Sequence, residues 1–179
     1  MRWTVAWTVP LAAAGAIAWV GAPSAAGAEA GGPPISVASP DFADGGRLPI
    51  RYTCYGVGQS VPLSWSDNAR PAGWAVVITD SDAPNGTFTH WVLFDIPASI
   101  HQIAAGAVPA SARQAQNSAG TIGYDPPCPP SGIHHYHFQV VGLRHLLDLP
   151  NGTPHDRVTK AISADSAAEG TLVATVAHR

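Results

Sequence analysis

Charged residues and cysteines are scarce in this chain of 179 residues. Asp, Glu, Lys and Arg together make up 12% of it, the formal net charge is −3, and two residues are cysteines. Without a basic stripe, a nucleic-acid partner is not expected. Without a polybasic or strongly amphipathic segment, a surface-bound membrane helix is not expected either. Two cysteines also do not make up a structural zinc set.

Glycine and proline, by contrast, are abundant, with 18 and 17 residues. Much glycine and proline with little charge suits a loop-rich β protein better than a helical bundle. Six apolar or β-branched runs predict strands, at residues 48–53, 61–65, 74–79, 87–96, 134–143 and 172–176. Helical spacing predicts one helix over 156–168, capped by Asp156, and residues 97–121 are expected to be mostly loop. We therefore predict an all-β or β-rich α+β fold.

The first residues have the pattern of a secretory leader. Met1-Arg2 carries one positive charge, a mainly apolar run covers residues 3–20, and small residues fill 25–28. This order is typical of a cleavable signal peptide, so we expect residues 1–28 to be removed. A membrane anchor is the alternative, but a proline and a glycine interrupt the run and no basic cluster follows it. We expect no stable transmembrane segment after cleavage.

The remaining chain is predicted to divide into a flexible tether at 29–34 and one domain at 35–179, which is long enough to bury a sizeable core. The leader predicts a secreted or cell-envelope protein. No cysteine lies near the end of the leader, so a lipid-modified N-terminus is not expected. Because an exported protein meets an oxidising compartment, a disulfide between Cys54 and Cys128 is the favoured interpretation. Two separate buried thiols are the alternative.

Two polar clusters accompany the predicted central strands. Asp80-Ser81-Asp82-Ala83-Pro84 follows the strand at 74–79, and its acids either meet ligand donors or form an Asx turn that ends the strand. His90 lies inside the next apolar run, where strict alternation places it on the same face as Val92 and Phe94. A lone strand histidine is more often a core or surface residue than a ligand.

A third cluster covers residues 129–137. Alternation places His134 and Tyr136 on one face of the strand and His135 and His137 on the other. A His-x-His pair can bind a metal, but no nearby acid or cysteine at a recognisable spacing supplies a third ligand, so neither a metal nor another cofactor is expected. Taken together, the three clusters would line a small pocket whose imidazole and phenol groups can donate hydrogen bonds to phosphate or carboxylate oxygens.

Five segments of the sequence resemble motifs of the phosphatidylethanolamine-binding protein family, in its bacterial Raf-kinase-inhibitor-like branch. They are Tyr52-Thr-Cys-Tyr-Gly56, Pro62-Leu-Ser-Trp65, Asp80-Ser-Asp-Ala-Pro84, Thr89-His-Trp-Val92 and Gly123-Tyr-Asp-Pro-Pro-Cys-Pro-Pro-Ser-Gly-Ile-His-His-Tyr136. The resemblance extends from about Ile35 to the C-terminus. It implies a β-sandwich with a few short peripheral helices and a single anion pocket.

The resemblance also implies which residues bind the ligand. Carried over residue by residue, the pocket would be lined by Asp80, His90, His134 and Tyr136. Asp82 and Pro84 would shape its loop, and Pro129 and Pro130 would form its rim, where a cis peptide bond is one expectation. The chain departs from the family pattern at Asp125-Pro126-Pro127, which replaces a glycine-rich approach and is expected to stiffen the rim, and at His135, where the family often has Arg.

The favoured hypothesis is an exported binding protein, not an enzyme, whose pocket holds a small anion such as a phosphate or a phospholipid head group. No G-x-S-x-G elbow is present, and the disulfide would occupy Cys128. The first alternative is a secreted inhibitor or modulator of a protein partner, either a serine protease or a kinase, with residues 126–130 as the candidate loop. The second is a metal-dependent hydrolase that uses Asp80, Asp82 and the histidines. The oligomeric state is left open, with a homodimer through a strand edge as one arrangement.

Overall fold

The computed structural model describes Met1, Trp3 and residues 34–66 and 69–179. The predicted signal peptide at 1–28 and tether at 29–34 lie outside the described residues, apart from Met1, Trp3 and Pro34. Among the helices of the described part, none combines the length and the apolar character that crossing a membrane requires.

Two β-sheets and one α-helix make up the fold of the described residues. The strands are β1 (Val37–Ala38), β2 (Gly46–Arg47), β3 (Leu63–Trp65), β4 (Gly73–Asp80), β5 (Phe88–Pro97), β6 (Gln102–Ile103), β7 (Arg113–Gln114), β8 (Ile133–Leu143) and β9 (Ser166–Ala177), and helix α1 (His155–Asp165) precedes β9. The larger sheet has the order β2-β9-β8-β4-β5-β7, and the smaller has the order β1-β3-β6. All pairs are antiparallel except β2 with β9. The predicted β-rich α+β fold is confirmed.

The larger sheet is covered on both faces, which explains its long apolar strands. On one face the smaller sheet packs against it, with the rings of Trp65 and Trp74 5.9 Å apart in an edge-to-face contact. On the other face, α1 contributes Val158 and Ile162 to a second cluster. A strand in this position buries both alternating sets of side chains, so β4 has only one residue, Thr79, that is not fully buried. The predicted strand at 74–79 is therefore confirmed.

Residues 48–53 do not form the predicted strand. A 3₁₀ turn covers Ile50–Tyr52, where the main-chain N–H of Tyr52 donates to the carbonyl of Pro49 at 3.0 Å. Pro49 has no N–H to offer a neighbouring strand, and the turn buries the Tyr52 side chain in the core. The prediction was wrong because an alternating pattern of this length is also satisfied by a turn with one buried residue.

The helix begins one residue earlier and ends three residues earlier than predicted. Pro154, with no side-chain cap, precedes its first residue, and Asp156 lies in its first turn, so the predicted Asp156 cap is wrong. Proline suits a helix start because its missing N–H would have no helical partner there. Residues 166–168 leave the helical pattern because β9 pairs with β8 along nearly all of its length, from Ser166 to Ala177.

The predicted disulfide is confirmed. Cys54 and Cys128 are bonded, with their Cα atoms 5.4 Å apart and a sequence separation of 74. The main-chain N–H of Cys54 also donates to the carbonyl of Pro127 at 3.1 Å. The bond thus joins the segment after the 3₁₀ turn to the proline-rich segment before β8.

Candidate functional site

A cavity of about 410 Å³ lies at one end of the larger sheet. The end of β4 meets the starts of β5 and β8 here, because antiparallel pairing sets Asp80 opposite both Phe88 and Tyr136. The cavity is lined by residues from these strands and from the flanking loops, namely Cys54, Asp80, Ala83, Pro84, Phe88, His90, Asp125, Pro126, Cys128, Pro130, His134 and Tyr136. Residues from four separate parts of the sequence therefore meet at one place.

A buried Asp–His pair forms one side of the cavity. Nδ1 of His134 lies 2.7 Å from Oδ2 of Asp80, and the two residues are 6% and 4% exposed. The second carboxylate oxygen, Oδ1, accepts a hydrogen bond from the main-chain N–H of Asp82 at 2.9 Å. This is an Asx turn, so the Asx-turn interpretation of the Asp80 segment is confirmed, and the contact with ligand donors stays a prediction.

His90 reaches the cavity because of an irregularity in the pairing of β4 and β5. Ile78 is opposite Trp91 and Thr79 is opposite Thr89, so His90 has no partner of its own. Such a bulge changes the face toward which a side chain points. The His90 ring packs against Tyr136 at 5.3 Å, on the side of the larger core cluster, whereas Val92 and Phe94 belong to the other cluster. The predicted shared face of His90, Val92 and Phe94 is wrong.

The orientation of His90 is set by main-chain contacts with Asp125. Nδ1 of His90 lies 2.8 Å from the Asp125 carbonyl, and the N–H of Asp125 donates to the His90 carbonyl at 2.9 Å. A carbonyl can only accept, so Nδ1 carries the hydrogen. Burial lowers the pKa of His90, against the opposing effect of this hydrogen bond. His90 is therefore held as a neutral imidazole whose second nitrogen, Nε2, is an acceptor.

The hydroxyl of Tyr136 is buried without a partner. Tyr136 is fully buried, and within the described part of the chain its hydroxyl makes no hydrogen bond. Burial, and then the nearby charge of Asp80, raise its pKa, so the phenol keeps its hydrogen. Most buried polar atoms in proteins have a partner, so this hydroxyl is an exception that requires an explanation.

Asp82 and the alternate histidines of β8 lie on the other side of the strand. Oδ2 of Asp82 accepts from the main-chain N–H of His135 at 2.7 Å and lies 2.8 Å from its Nδ1. These hydrogen bonds, the side-chain one first, lower the pKa of Asp82. His137 contacts the hydroxyl of Ser81 at 3.1 Å. The structure thus places Asp82 where it holds the Asp80 loop onto β8, outside the cavity lining.

The prolines predicted to shape the loop (Pro84) and to form the rim (Pro129 and Pro130) divide in the same way. Pro84 and Pro130 line the cavity, whereas Pro129 is buried beside it, and its carbonyl lies 2.9 Å from Nδ1 of His178. All peptide bonds of the described residues are trans, so the rim has no cis bond. In the 126–130 segment, the candidate inhibitory loop, Pro126 and Pro130 line the cavity and Cys128 is held by the disulfide.

Sequence reasoning missed several lining residues. Phe88, whose ring lies 4.7 Å from that of His90, stands directly before the recognised Thr89-His-Trp-Val92 segment, and this proximity was the available signal. Asp125 contributes a main-chain carbonyl to His90, which no side-chain pattern reports. Among the residues that the structure describes, no group of three or more His, Cys, Asp or Glu side chains is arranged to hold a metal ion.

Comparison with known proteins gives matches over most of the described chain. The family model described as phosphatidylethanolamine-binding protein matches residues 38–177. The LppC protein of Mycobacterium tuberculosis, whose name describes it as a lipoprotein, is 38% identical over 144 residues, which cover 79% of this chain and 72% of that protein. The UPF0098 protein of Methanothermobacter thermautotrophicus is 40% identical over 138 residues, or 74% of this chain and 91% of that protein.

Two solved structures share the architecture. A phosphatidylethanolamine-binding protein homologue from Chlamydia trachomatis superimposes with a TM-score of 0.76 at 32% identity, over 82% of this chain and 99% of that one. YbcL of E. coli, described as a new member of the mammalian family, superimposes with a TM-score of 0.75 at 25% identity, over 81% of this chain and 99% of that one.

Proposed function

Because the chain belongs to the phosphatidylethanolamine-binding protein family, we propose that it is an exported binding protein whose cavity holds a small anion, such as a phosphate or a phospholipid head group. The resemblance drawn from the sequence motifs is thereby confirmed at the level of the family. The binding roles of Asp80, Pro84, His90, Pro130, His134 and Tyr136 are part of the proposal.

One observation carries the proposal of a ligand. The Tyr136 hydroxyl is fully buried and has no hydrogen-bond partner among the residues that the structure describes, and Tyr136 lines a cavity of about 410 Å³ together with the rings of His90 and His134. Ligand sites of this kind are concave, mostly apolar and fitted with a few convergent polar groups. The apolar part is supplied by Phe88, Pro84 and the disulfide, which leaves room for the organic part of a head group.

The chemistry of the cavity argues against a nucleophilic catalytic role for the same groups. A nucleophilic mechanism needs a hydroxyl or thiol within hydrogen-bond reach of a base. Both cysteines are bonded to each other, and burial and Asp80 keep the Tyr136 phenol protonated. The function that these groups support best is therefore recognition rather than turnover.

The experiment is a titration of the purified domain with phosphorylethanolamine and with inorganic phosphate, followed by NMR of the histidine ring signals. Ligand entry should shift the signals of His90 and His134, and should leave that of His145, an exposed histidine on the loop before α1, unchanged. The anion proposal fails if neither compound perturbs His90 or His134 at millimolar concentration.

The proposed export is tested separately. Both cysteines are joined in the disulfide, so neither is free to carry a lipid. LppC, by contrast, is named as a lipoprotein. We expect the full chain, expressed in a bacterial host, to appear in the periplasm or medium with an N-terminus near residue 29. Recovery of the intact chain from the cytosol would contradict this.

A further inference from the structure

The sequence contains the same four residues twice, and the two copies have different surroundings in the structure. Pro84-Asn-Gly-Thr87 connects β4 to β5, and Pro150-Asn-Gly-Thr153 precedes α1. In an Asn-Gly pair the main-chain nitrogen of glycine can attack the asparagine side chain with little hindrance, because glycine has no Cβ. We propose that Asn85 is a site of spontaneous deamidation in the folded protein and that Asn151 is protected from the same reaction.

The reaction needs no enzyme and no reactant other than water. The main-chain nitrogen of Gly86 bonds to Cγ of Asn85, and the side-chain nitrogen leaves as ammonia with the hydrogen of that N–H, which closes a succinimide ring. Water then opens the ring at either of its two carbonyls. One opening gives aspartate, and the other gives isoaspartate, in which the main chain runs through the former side chain and is longer by one carbon. Both products carry a negative charge that asparagine lacks.

Asn85 is held by few contacts. Its side chain is exposed and makes no hydrogen bond to any residue that the structure describes. Gly86 is exposed as well, its φ is +98°, and a Cβ added to it would meet nothing within 4 Å. The N–H of Gly86 donates to the carbonyl of Ala83 at 3.1 Å, so opening one exposed turn releases the attacking nitrogen. Such local opening costs little free energy where contacts are few.

The second copy is tied to β7 through Gln114. Oδ1 of Asn151 accepts from the main-chain N–H of Gln114 at 2.8 Å, and the N–H of Gly152 donates to the carbonyl of Gln114 at 2.8 Å. One strand residue therefore holds both groups that would have to react. A Cβ added to Gly152 would lie 2.7 Å from the Ile122 side chain, and Thr153 is buried, so this turn is also closely packed. Asn151 is itself exposed, so hydrogen bonding and packing, rather than access to water, distinguish the two copies.

The loop that contains Asn85 also borders the proposed binding site. Residues 83–88 and Ser118 line a second cavity of about 370 Å³, which shares Ala83, Pro84 and Phe88 with the cavity of about 410 Å³. A carboxylate at position 85 would add negative charge beside a cavity that already contains Asp80. We therefore expect the modified protein to bind phosphate more weakly. This consequence rests on the proposed function, whereas the modification does not.

The test follows both asparagines in one sample of the folded full chain. The protein is incubated at pH 8, and samples taken at intervals are digested and analysed by peptide mass spectrometry and by quantification of isoaspartate. We expect Asn85 to convert about tenfold or more faster than Asn151, the factor that corresponds to one or two hydrogen bonds of ordinary net strength. In urea with the disulfide reduced, the two sites should convert at similar rates, because the four residues are identical.

Equal rates in the folded protein, faster conversion at Asn151, or no conversion at Asn85 would overturn the inference. Hydrogen exchange tests its cause, because the N–H of Gly86 should exchange faster than that of Gly152, and the reverse order would contradict the role given to Gln114. Asn85→Gln is the control for the assignment, since the longer side chain closes a ring far less readily. Undiminished formation of isoaspartate in this variant would place the reaction elsewhere and would also contradict the inference.

A separate measurement tests the consequence for binding. Asn85→Asp introduces the charge alone, and Asn151→Asp is the matched control, because its carboxylate can still accept from the N–H of Gln114 and lies outside both cavity linings. We expect phosphate affinity to fall about threefold in the first variant, as for one charge acting through water, and to stay unchanged in the second.

The outcomes of this measurement separate the two proposals. Equal phosphate affinities of Asn85→Asp and Asn151→Asp would contradict the consequence for binding, while the peptide measurements alone decide the modification. If the natural sequence binds no phosphate, the proposed function and this consequence fall together, and the modification at Asn85 stands or falls by its own rate.

Discussion

Nδ1 of His134 lies 2.7 Å from Oδ2 of Asp80 inside the protein, and the adjacent residue on β8, His135, makes a pair of the same geometry with Asp82 at the surface. The side chains of the first pair are 7% and 5% exposed, and those of the second pair 53% and 41%. One strand thus carries two Asp–His contacts that differ mainly in their access to water, and this difference allows their energies to be compared.

Replacing His134 with Ala should destabilise the fold by about 2 kcal/mol, because it removes a hydrogen bond to a charged group that has little water to replace it. Replacing His135 with Ala should cost much less, since water can solvate an exposed carboxylate. Urea unfolding of the two variants against the natural sequence measures both effects. Equal losses in the free energy of unfolding would show that burial does not distinguish the pairs.

Tyr136→Phe should leave the free energy of unfolding unchanged or raise it slightly, because the hydroxyl is buried with no hydrogen-bond partner in the described part of the chain. Tyr124→Phe is the matched control. Its hydroxyl donates to the carbonyl of Tyr52 at 2.8 Å, so its loss should cost about 1 kcal/mol.

Ligand binding should respond in the opposite order. Tyr136→Phe should weaken phosphate binding and Tyr124→Phe should not. Calorimetry or the NMR titration can measure this difference. A destabilised Tyr136→Phe protein with full affinity for phosphate would contradict the role assigned to that hydroxyl.

Stability should fall at acid pH in part through His90. Burial holds the pKa of His90 below the ordinary histidine value of 6.5. The unfolded chain therefore takes up the proton more readily, so the contribution of His90 to stability is complete above pH 6.5 and is lost as the pH falls below it. Unfolding measured at pH 7.5 and 5.5 should show a larger loss for the natural sequence than for His90→Gln. Parallel losses in the two proteins would contradict this assignment.

Loss of the disulfide should lower both stability and affinity. Joining residues 74 apart constrains the unfolded chain by about 4 kcal/mol in the chain-entropy model. Because Cys54 and Cys128 also line the cavity, the double variant Cys54→Ala/Cys128→Ala should bind phosphate more weakly even under conditions where it is fully folded. Unchanged affinity in the folded double variant would show that the proline-rich segment holds its position without the bond.

The central strands could be predicted from the sequence because each lies between two apolar layers. A strand covered on both faces is mainly apolar, and β4 and β5 were recognised in this way, whereas the first half of β8 alternates between buried and more exposed residues. The conformation of residues 48–53 and of the start of β9 could not be predicted in this way. Their conformation depends on the missing N–H of Pro49 and on pairing with β8, which are not contained in local periodicity.

The site was predicted more completely in its residue types than in its orientations. Asp80, His90, His134 and Tyr136 do meet at one cavity. The direction of His90 depends on a bulge, which is a property of the register between two strands and not of either strand alone. Asp125 acts through its main chain, where residue identity has no influence. Neither the bulge nor this main-chain contact can be predicted from the residue types alone.

The disulfide lies in the cavity wall, so it links the proposed binding site to the proposed export of the chain. The cytosol keeps thiols reduced and is rich in phosphorylated metabolites, whereas disulfides form after export. An exported chain would therefore leave the ribosome with an incomplete site and acquire the missing wall only on the far side of the membrane. Oxidation would then act as a maturation step, and the protein would arrive empty rather than already occupied by a cytosolic ligand.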